Sequence, residues 1–458
     1  MITLRPYQEV AVNGLRGEYR KGKKRPLLVL PTGGGKTVVF TYITHASAAN
    51  GNRVLILVHR AELLEQTSAA LTKFGVKHGL ITPAYTPDYT QRVQVASIQT
   101  LVKRFQHVHA PDLIVVDEAH HANAGTWKKV LDQYPNAKVL GVTATPVRAD
   151  GQGLGDVFDA MVEGNTVRAL IDSGYLVEPV IYAPSVPDLS GVKRRMGDYA
   201  SDELAERMDK PAITGDAVTH YRKYADGLPA VAFCVSIKHA QHVAEQFQAA
   251  GYRAFCVDGS LDATERKRIL DGLGNGSVDV VTSCDIISEG TDIPAIGCAI
   301  LLRPTQSLGL YIQQVGRALR PSAGKECAII LDHAGNVLKH GLPDEERVWT
   351  LDAEEKKKRT KKGDEQTISV RQCEECYACF KPTSHTCPQC GHVHAVKQRK
   401  INEVDGELVA ISAEALQKQQ ARKQQGRAQT FEELLKLEKS KGYKSGWAAH
   451  VWAARQKK

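Results

Sequence analysis

Short apolar segments recur along this chain, and the intervals between them are long enough to hold helices. In the first series the segments are PLLVL (26–30), VLILV (54–58), VQVA (93–96), LIVV (113–116) and KVLGV (138–142). Helices are predicted to begin near Lys36, Ala61, Ile98 and Thr126. Short strands that are apolar throughout, separated by helices, are typical of a parallel sheet covered on both faces. The pattern therefore predicts an α/β fold.

The alternation restarts after about residue 175. The second series is AVAFC (230–234), AFCV (254–257), VDVVT (278–282), CAILL (298–302) and CAIILD (327–332), with a helical stretch at 239–250 among them. We expect two tandem α/β domains, 1–172 and 173–345, and a polar insertion at about 185–215 that is a linker or a small helical element. The 458 residues suffice for two such domains and a small appendage.

A glycine-rich segment, PTGGGKT (31–37), joins the first apolar strand to a helix-compatible stretch. Backbone N–H groups in such a turn can point at phosphates, and the helix dipole assists them. Lys36 would reach the β- and γ-phosphates, and the Thr37 hydroxyl would bind Mg²⁺. The strict pattern requires a further glycine where Leu30 stands. The compressed form keeps the residues that would contact phosphate, namely Thr32, Gly33, Gly34, Gly35, Lys36 and Thr37.

Two adjacent acids end another apolar strand in LIVVDEAH (113–120). Asp117 can hold Mg²⁺ opposite Thr37, and Glu118 can accept a proton from the attacking water. Such acids after a buried strand, downstream of a phosphate loop, predict hydrolysis of a nucleoside triphosphate.

Two arginines, Arg317 and Arg320, stand three residues apart in GRALR, a spacing that places them on one face of a helix. The planar guanidinium suits phosphate. If these arginines come from the second domain and the phosphate loop from the first, ATP joins the domains and hydrolysis releases them. The sequence thus predicts a motor.

The motifs and their order resemble those of superfamily 2 helicases, in the broad DEAH, RecQ-like and UvrB-like group. The resemblance covers about 1–345. Its segments are LRPYQ (4–8), PTGGGKT (31–37), HRAELLEQT (59–67), ASIQTL (96–101), DEAH (117–120), TATP (143–146), FCVSIKHA (233–240), SEGTDIP (288–294) and QQVGRALRP (313–321). It implies two RecA-like domains with parallel sheets and an ATP site between them.

The resemblance also implies roles for individual residues. Gln8 and Arg5 would contact the adenine base, Gln313 would position water, and Gly290 and Asp292 would line the same cleft. His120, Thr143 and Thr145 would couple the ATP site to the site that binds the nucleic-acid strand. Contacts to the nucleic-acid backbone are carried over to Arg60, Gln66, Ser97, Gln99 and Thr100, where ordinary capping and surface roles are the alternative.

Within this group, LLRPTQSLGLYIQQVGRALRPSAGK followed by CAIILDHAGN most resembles RadD-like proteins and phage-encoded helicases. Together with the cysteines described next, this narrower resemblance favours DNA over RNA. A non-catalytic binding protein on an inactive ATPase fold would need a broken motif, and none of the catalytic positions is altered.

Five cysteines lie within CEECYACFKPTSHTCPQC (373–390). One tetrahedral zinc needs four thiolates, and clustered cysteines in a chain without disulfides more often bind metal. Cys387 and Cys390 form one pair, and the other is Cys373 with Cys376 or Cys376 with Cys379. We favour Cys373, because the longer spacing resembles that of zinc ribbons. Cys379 is then surplus, and the zinc has a structural role.

The C-terminal part carries most of the net charge of +9. From Glu346 onward there are 23 Lys and Arg against 15 Asp and Glu. We expect a charged linker (346–370), a zinc ribbon (371–395) and a basic helical tail (396–458). Tyr443, Trp447 and Trp452 among basic residues suit single-stranded nucleic acid, or else pack a small helix. A solvated tail without a partner is the alternative to nucleic acid, and a protein partner is a further candidate.

The apolar runs are too short to cross a bilayer, and MITLRPYQ lacks the pattern of a signal peptide. We therefore expect a cytoplasmic protein with no membrane partner. The sequence predicts an ATP-dependent helicase or translocase that uses ATP, Mg²⁺ and Zn²⁺ and acts on DNA in repair, recombination or replication, with an RNA helicase as the alternative.

Overall fold

We describe a computed structural model of the chain, for residues 3–121, 124–148, 153–184, 187, 189–195, 198–284, 296–352, 370–394, 428 and 430–456. The chain divides into a large unit, Met1–Ala395, and a small one, Val396–Lys458. Among the described residues we find no helix with the length and apolar character needed to span a bilayer.

The first part of the large unit is a seven-stranded sheet in which every pairing is parallel. Its strands are β1 (Pro26–Val29), β2 (Val54–Val58), β3 (His78–Ile81), β4 (Val93–Ser97), β5 (Leu113–Asp117), β6 (Lys138–Thr143) and β7 (Ala160–Glu163), in the order β3-β4-β2-β5-β6-β1-β7. Its helices are α1 (Pro6–Arg20), α2 (Lys36–Ala49), α3 (Ala61–Lys73), α4 (Ile98–Leu101), α5 (Ala124–Gln133) and α6 (Val167–Asp172).

The second part contains an eight-stranded sheet. Its strands are β8 (Glu178–Tyr182), β11 (Ala230–Phe233), β12 (Ala254–Val257), β13 (Val280–Ser283), β14 (Cys298–Leu301), β15 (Cys327–Asp332), β16 (Arg371–Gln372) and β17 (Ala378–Phe380), in the order β12-β13-β11-β14-β15-β8-β17-β16. The helices are α7 (Ser201–Met208), α8 (Pro211–Tyr224), α9 (Ile237–Ala249), α10 (Ala263–Asn275), α11 (Leu308–Ala318) and α12 (Asn336–His340).

The apolar segments of both predicted series form strands, and the α/β prediction with two parallel sheets is confirmed. Central strands such as β2 and β11 are buried along their whole length. Because all strands of the first sheet run the same way, their carboxyl ends meet at one edge, where Val29 is paired with Thr143 and Val58 with Ser97. Ligands of parallel α/β sheets bind at that edge.

The cysteine-rich segment is part of the second sheet. Strand β17 pairs antiparallel with β8, matching Ala378 to Tyr182 and Cys379 to Ile181, and β16 pairs with β17. The prediction treated this segment as an appendage behind a linker. Instead it covers the edge of β8, the first strand of the second sheet.

The predicted insertion at 185–215 contains a short hairpin as well as a helix. Strand β9 (Arg194–Arg195) pairs with β10 (Asp198–Tyr199), and α7 follows. Asp198 accepts hydrogen bonds from the Thr305 hydroxyl at 2.7 Å and from the Gln306 N–H at 2.6 Å. These bonds fix the hairpin to the loop that leads into α11.

The segment that follows α12 returns to the first sheet. The backbone N–H of Gly155 donates to the carbonyl of Leu351 at 2.8 Å, and the side chains of Trp349 and Leu351 pack against the first hydrophobic layer. The beginning of the predicted linker, 346–370, is therefore a strap between the two sheets. Residues 353–369 lie outside the described part of the chain.

In the small unit the described residues form two helices, Phe431–Lys441 and Trp447–Gln456. Thr430 and Glu433 make a capping box at the first helix. Trp447 and Trp452 are both partly buried and pack against Leu434 and Ala448. Packing thus involves both tryptophans, and the rest of the predicted helical stretch at 414–442 lies largely outside the described residues.

The burial of His333 makes the stability of the fold depend on pH. Burial, followed by the nearby His220, lowers the pKa of His333 to about 3. Neither ring nitrogen of His333 has a hydrogen-bond partner among the described residues. Below the ordinary histidine pKa the unfolded chain binds a proton that the folded chain does not, so acid destabilises the fold.

We expect the loss of unfolding free energy between about pH 7 and pH 5 to be smaller by about 2 kcal/mol in His333→Phe than in wild type. Urea unfolding of wild type and variant at both pH values measures it, with the exposed His45→Gln as control. Asp332, whose pKa burial raises to about 6, acts in the opposite direction in both chains, so it cancels in the comparison. An equal loss in His333→Phe would contradict the prediction.

Candidate active site

The phosphate loop has the backbone that phosphate binding needs. It runs from the end of β1 to α2, which begins at Lys36. Gly33 and Gly35 have φ angles of 85° and 81°, in the left-handed region that favours glycine. A side chain at Gly33 would meet Leu176 at 2.7 Å. Positive φ and close packing together explain the glycines.

The N-terminal helix α1 lies directly against this loop. The Tyr7 hydroxyl donates to the Gly34 carbonyl at 2.9 Å, and the Gln8 amide donates to the same oxygen at 3.3 Å. The Arg5 guanidinium lies over the ring of Tyr175, 4.6 Å from its centroid. Tyr7 and Gln8 therefore hold the loop, and Arg5 and Tyr175 form a flat platform beside it. Tyr175 was not predicted, because it lies far from α1 in the sequence.

The predicted acids converge on the loop lysine. The Lys36 ammonium lies 3.2 Å from a Glu118 carboxylate oxygen, and both side chains are about nine-tenths buried. Asp117 ends β5 and accepts the N–H of Glu118 at 2.9 Å. Glu118 has φ of 47°, a left-handed conformation that costs a non-glycine residue about 1 kcal/mol or more. Backbone strain of this kind is found at functional sites.

His120 connects these acids to the end of β6 and to the second sheet. Its Nδ1 lies 2.9 Å from the Thr143 hydroxyl and 3.5 Å from Glu118. Its Nε2 lies 3.4 Å from the Gln313 amide nitrogen on α11. The Thr143 hydroxyl donates to the Thr145 carbonyl at 2.9 Å. This chain of polar contacts joins the first sheet to α11.

His59 and His121 extend this chain of contacts. The ring of His121 lies 4.1 Å from that of His120 and 4.4 Å from that of His59, measured between centroids. Neither His59 nor His121 is among the site residues that the sequence predicts. Only the fold brings them together, because His59 follows β2 and His121 follows β5.

The second sheet contributes two arginines through α11. Gly316 packs on Thr32 so closely that a Cβ at Gly316 would lie 2.5 Å from the Thr32 Cβ. Arg317 is 5% exposed, near the end of this helix. The prediction that Arg317 and Arg320 share a helix face is wrong, because α11 ends at Ala318 and Arg320 follows in a turn.

A cavity of about 500 Å³ lies between the two sheets. Its wall contains Arg5, Thr32, Gly33, Gly35, Lys36, Thr37, Gln66, Asp117, Glu118, Tyr175, Arg317 and Arg320. Both domains thus contribute to one site, as predicted for ATP. Cations, a glycine turn and a hydroxyl-carboxylate pair fit a nucleoside triphosphate with Mg²⁺.

The predicted nucleic-acid contacts divide into two groups. Ser97 ends β4, and Arg60 and Gln99 follow the paired strands β2 and β4, so the three residues lie along one edge of the sheet. Thr100 is 8% exposed, and Gln66 lines the cavity that holds Lys36. Contact of these residues with nucleic acid stays a prediction. Gly290 and Asp292 lie outside the described residues.

Four of the five clustered cysteines come together. The sulfurs of Cys373, Cys376, Cys387 and Cys390 all lie within 4.8 Å of one another. Cys373 is 3.6 Å from Cys390, and Cys376 is 3.6 Å from Cys387. Thiolates around one tetrahedral zinc lie roughly 3.8 Å apart, from a Zn–S bond of about 2.3 Å, so the set fits zinc.

The fifth cysteine, Cys379, packs into the protein core. It lies on β17, is 8% exposed, and burial raises the pKa of its thiol to about 12. Strand alternation explains this position, because neighbouring residues on β17 face opposite sides of the sheet.

We expect Cys379→Ser to keep about one zinc per chain and Cys373→Ser to lose it, because Cys373 is one of the four clustered thiols and Cys379 is not. Metal analysis of purified variants by mass spectrometry measures the ratio. Cys256→Ser, in the second sheet and away from the four thiols, is the control. Retention of zinc in Cys373→Ser together with its loss in Cys379→Ser would show that the other pair binds.

Comparison with known proteins agrees with this geometry. The family described as "Type III restriction enzyme, res subunit" matches residues 1–148, and "Helicase conserved C-terminal domain" matches 214–322. A "51.5 kDa protein" of a Lactococcus phage is 34% identical, with 84% of this chain and 82% of that protein covered. The "Putative ATP-dependent helicase IRC3" of Saccharomyces cerevisiae is 34% identical over 72% of this chain but only 51% of its own length.

A solved structure shows the same fold. It is a fragment of a putative HsdR subunit of a type I restriction enzyme from Vibrio vulnificus, with a TM-score of 0.60, 22% identity, and 74% of this chain and 66% of that chain covered.

The fold and the site between its two sheets define a RecA-like motor ATPase. The chain belongs to the superfamily 2 helicases and is an ATP-dependent helicase, related to the HsdR subunits of type I restriction enzymes and to IRC3-like helicases.

Proposed function

We propose that this chain is a DNA-stimulated ATPase that translocates along or unwinds DNA. One observation carries the proposal: Arg317 and Arg320 of the second domain line the same cavity as Lys36 and Glu118 of the first. Binding of ATP there would hold the domains closed, and loss of the γ-phosphate would release them. A cycle of closing and opening moves a bound strand.

We assign the steps of hydrolysis to residues of this chain. Glu118 accepts the proton of the attacking water, and Gln313 with His120 orients that water. Lys36, Arg317 and Arg320 stabilise charge on the transferring phosphoryl group. Mg²⁺, when bound by Thr37 and Asp117, would neutralise phosphate charge. Arg5 and Gln8, with Tyr175, would contact the base.

We assign contact with the nucleic acid to the edge of the first sheet where the carboxyl ends of its β-strands meet. Ser97 ends β4, and Arg60 and Gln99 follow the neighbouring strands β2 and β4 there. The rings of His59 and His121, which are tilted against each other, lead from this edge to Glu118 through His120. Contacts of this kind would go to phosphate and sugar, so they would not depend on base sequence.

The C-terminal part from Glu346 is basic and would attract DNA and RNA alike. Two other features favour DNA over RNA. One relative, 22% identical over 72% of this chain, is named a DNA 3'-5' translocase, and a solved restriction-modification enzyme that matches this chain is described as bound to DNA. The stretch LLRPTQSLGLYIQQVGRALRPSAGK followed by CAIILDHAGN resembles RadD-like proteins and phage-encoded helicases. The cysteine cluster would hold a structural zinc at the edge of the second sheet.

The proposal is tested by measuring how much different nucleic acids stimulate ATP turnover. Turnover is measured with single-stranded, forked and duplex DNA and with RNA of the same sequence. We expect at least one DNA form to raise kcat about 10-fold or more above the basal rate, and RNA to raise it less. Stimulation by RNA alone would favour the RNA-helicase alternative, and no stimulation by any strand would contradict the motor.

A further inference from the structure

The segment that presents Arg317 and Arg320 ends in three carbonyl groups that need partners. Helix α11 stops at Ala318, and Leu319 and Arg320 continue as a turn. Carbonyls at the end of a helix have no partner within the helix. The backbone N–H of Val177, in the connection between the two sheets, donates to the Leu319 carbonyl at 2.9 Å.

The other two carbonyls are held by one side chain. The Lys325 ammonium donates to the carbonyls of Ala318 and Arg320, the latter at 2.7 Å. Its third donor reaches the carbonyl of Ile296, just before β14, at 2.6 Å. A lysine ammonium has three donors, so all of them are used by backbone oxygens. A cation at the end of a helix also complements the helix dipole.

Lys325 also lies close enough to Arg320 for their charges to interact. Burial, followed by the positive charge of Arg320, lowers the pKa of Lys325 to about 8. Repulsion between like charges disfavours conformations in which the Arg320 guanidinium folds back toward the ammonium. The guanidinium lines the nucleotide cavity instead.

We propose that Lys325 is a positioning residue for ATP hydrolysis, which fixes the end of α11 so that Arg317 and Arg320 meet the γ-phosphate. This rests on the proposed ATPase function of the cavity. Among the residues that the structure describes, Lys325 is not part of the wall of that cavity, and its ammonium donates its hydrogen bonds to backbone oxygens. Its effect on the reaction therefore passes through the two arginines.

Removing the ammonium should slow hydrolysis more than it weakens nucleotide binding. We expect Lys325→Met to lower DNA-stimulated kcat by about 10- to 100-fold, because a displacement of about 1 Å at a reacting group can cost that much. The affinity for a fluorescent ATP analogue should change by less than about 3-fold, since Lys36 and the glycine turn remain. Lys267→Met, an exposed lysine on α10, is the matched control and should behave as wild type.

A double-mutant cycle separates positioning from general stability. If Lys325 acts through Arg317 and Arg320, Lys325→Met added to a chain that already carries both Arg317→Ala and Arg320→Ala should lower kcat by less than about 2-fold further. An effect of Lys325→Met that is as large in this background as in wild type would overturn the proposal. Lys325→Gln, which can still donate to carbonyls, replaces Lys325→Met in the same cycle if thermal unfolding shows that the methionine variant does not fold.

The result also distinguishes this inference from the proposed function. A wild-type chain without DNA-stimulated turnover would contradict the ATPase motor, and the positioning role with it. If the wild type is active and the effect of Lys325→Met is undiminished in the chain that lacks both arginines, the motor stands and only the role of Lys325 is removed.

Discussion

Replacing Glu118 by glutamine should reduce ATP turnover by about 10²- to 10⁴-fold, the usual contribution of a general base. The change keeps the shape of the side chain and its left-handed backbone, but the amide cannot accept the proton of water. The loss should appear in kcat, with and without DNA, in steady-state measurements.

Nucleotide affinity should persist or increase in the same variant. The Glu118 carboxylate lies 3.2 Å from Lys36, so its neutralisation frees the ammonium to contact phosphate. Equilibrium binding of an ATP analogue measures this. Glu245→Gln, exposed on α9, is the control and should hydrolyse ATP at the wild-type rate. Normal turnover by Glu118→Gln would rule out this residue as the base.

Replacing Arg317 by alanine should lower kcat by about 10³-fold or more, as for arginine fingers in other phosphoryl-transfer enzymes. Arg317 is buried where α11 meets the first domain, next to Gly316, which packs closely on Thr32. Its side chain is therefore held close to the phosphate loop only when the domains are closed. Single-turnover hydrolysis with DNA measures the effect on the chemical step.

Arg317→Lys distinguishes charge from shape, because lysine keeps the charge but lacks the planar fork. We expect it to recover less than about a tenth of the lost rate. Arg268→Ala, which removes an arginine from a surface ion pair with Glu265 on α10, serves as control, since exposed pairs of this kind contribute little. A small effect of Arg317→Ala on the single-turnover rate would show that Arg317 does not stabilise the charge of the transition state.

The sequence predicted the central strands well because they are buried on both faces and read as continuous apolar runs. It missed β8, whose sequence EPVIY contains a glutamate and a proline, and it missed β3 and β7, which are only partly buried. These strands lie at or near sheet edges, where burial is incomplete and the apolar signal is weak.

The sequence predicts those parts of the candidate site whose functional residues stand next to each other in the chain. Lys36 with Thr37, and Asp117 with Glu118, were found from local spacing. Tyr175 could not be found, because its role depends on the platform that it makes with Arg5 across the fold. The end of α11 before Arg320 was missed for a related reason: the turn is set by contacts with Lys325 and Val177, which spacing does not encode.

The pairing of β17 with β8 has a consequence for handling the protein. A parallel sheet that ends in an uncovered strand offers unpaired N–H and C=O groups to other chains. The cysteine hairpin covers that strand with two antiparallel strands, and its own core is too small to hold them without a crosslink. Removal of the metal by a chelating agent would thus uncover β8 and allow two chains to associate through it.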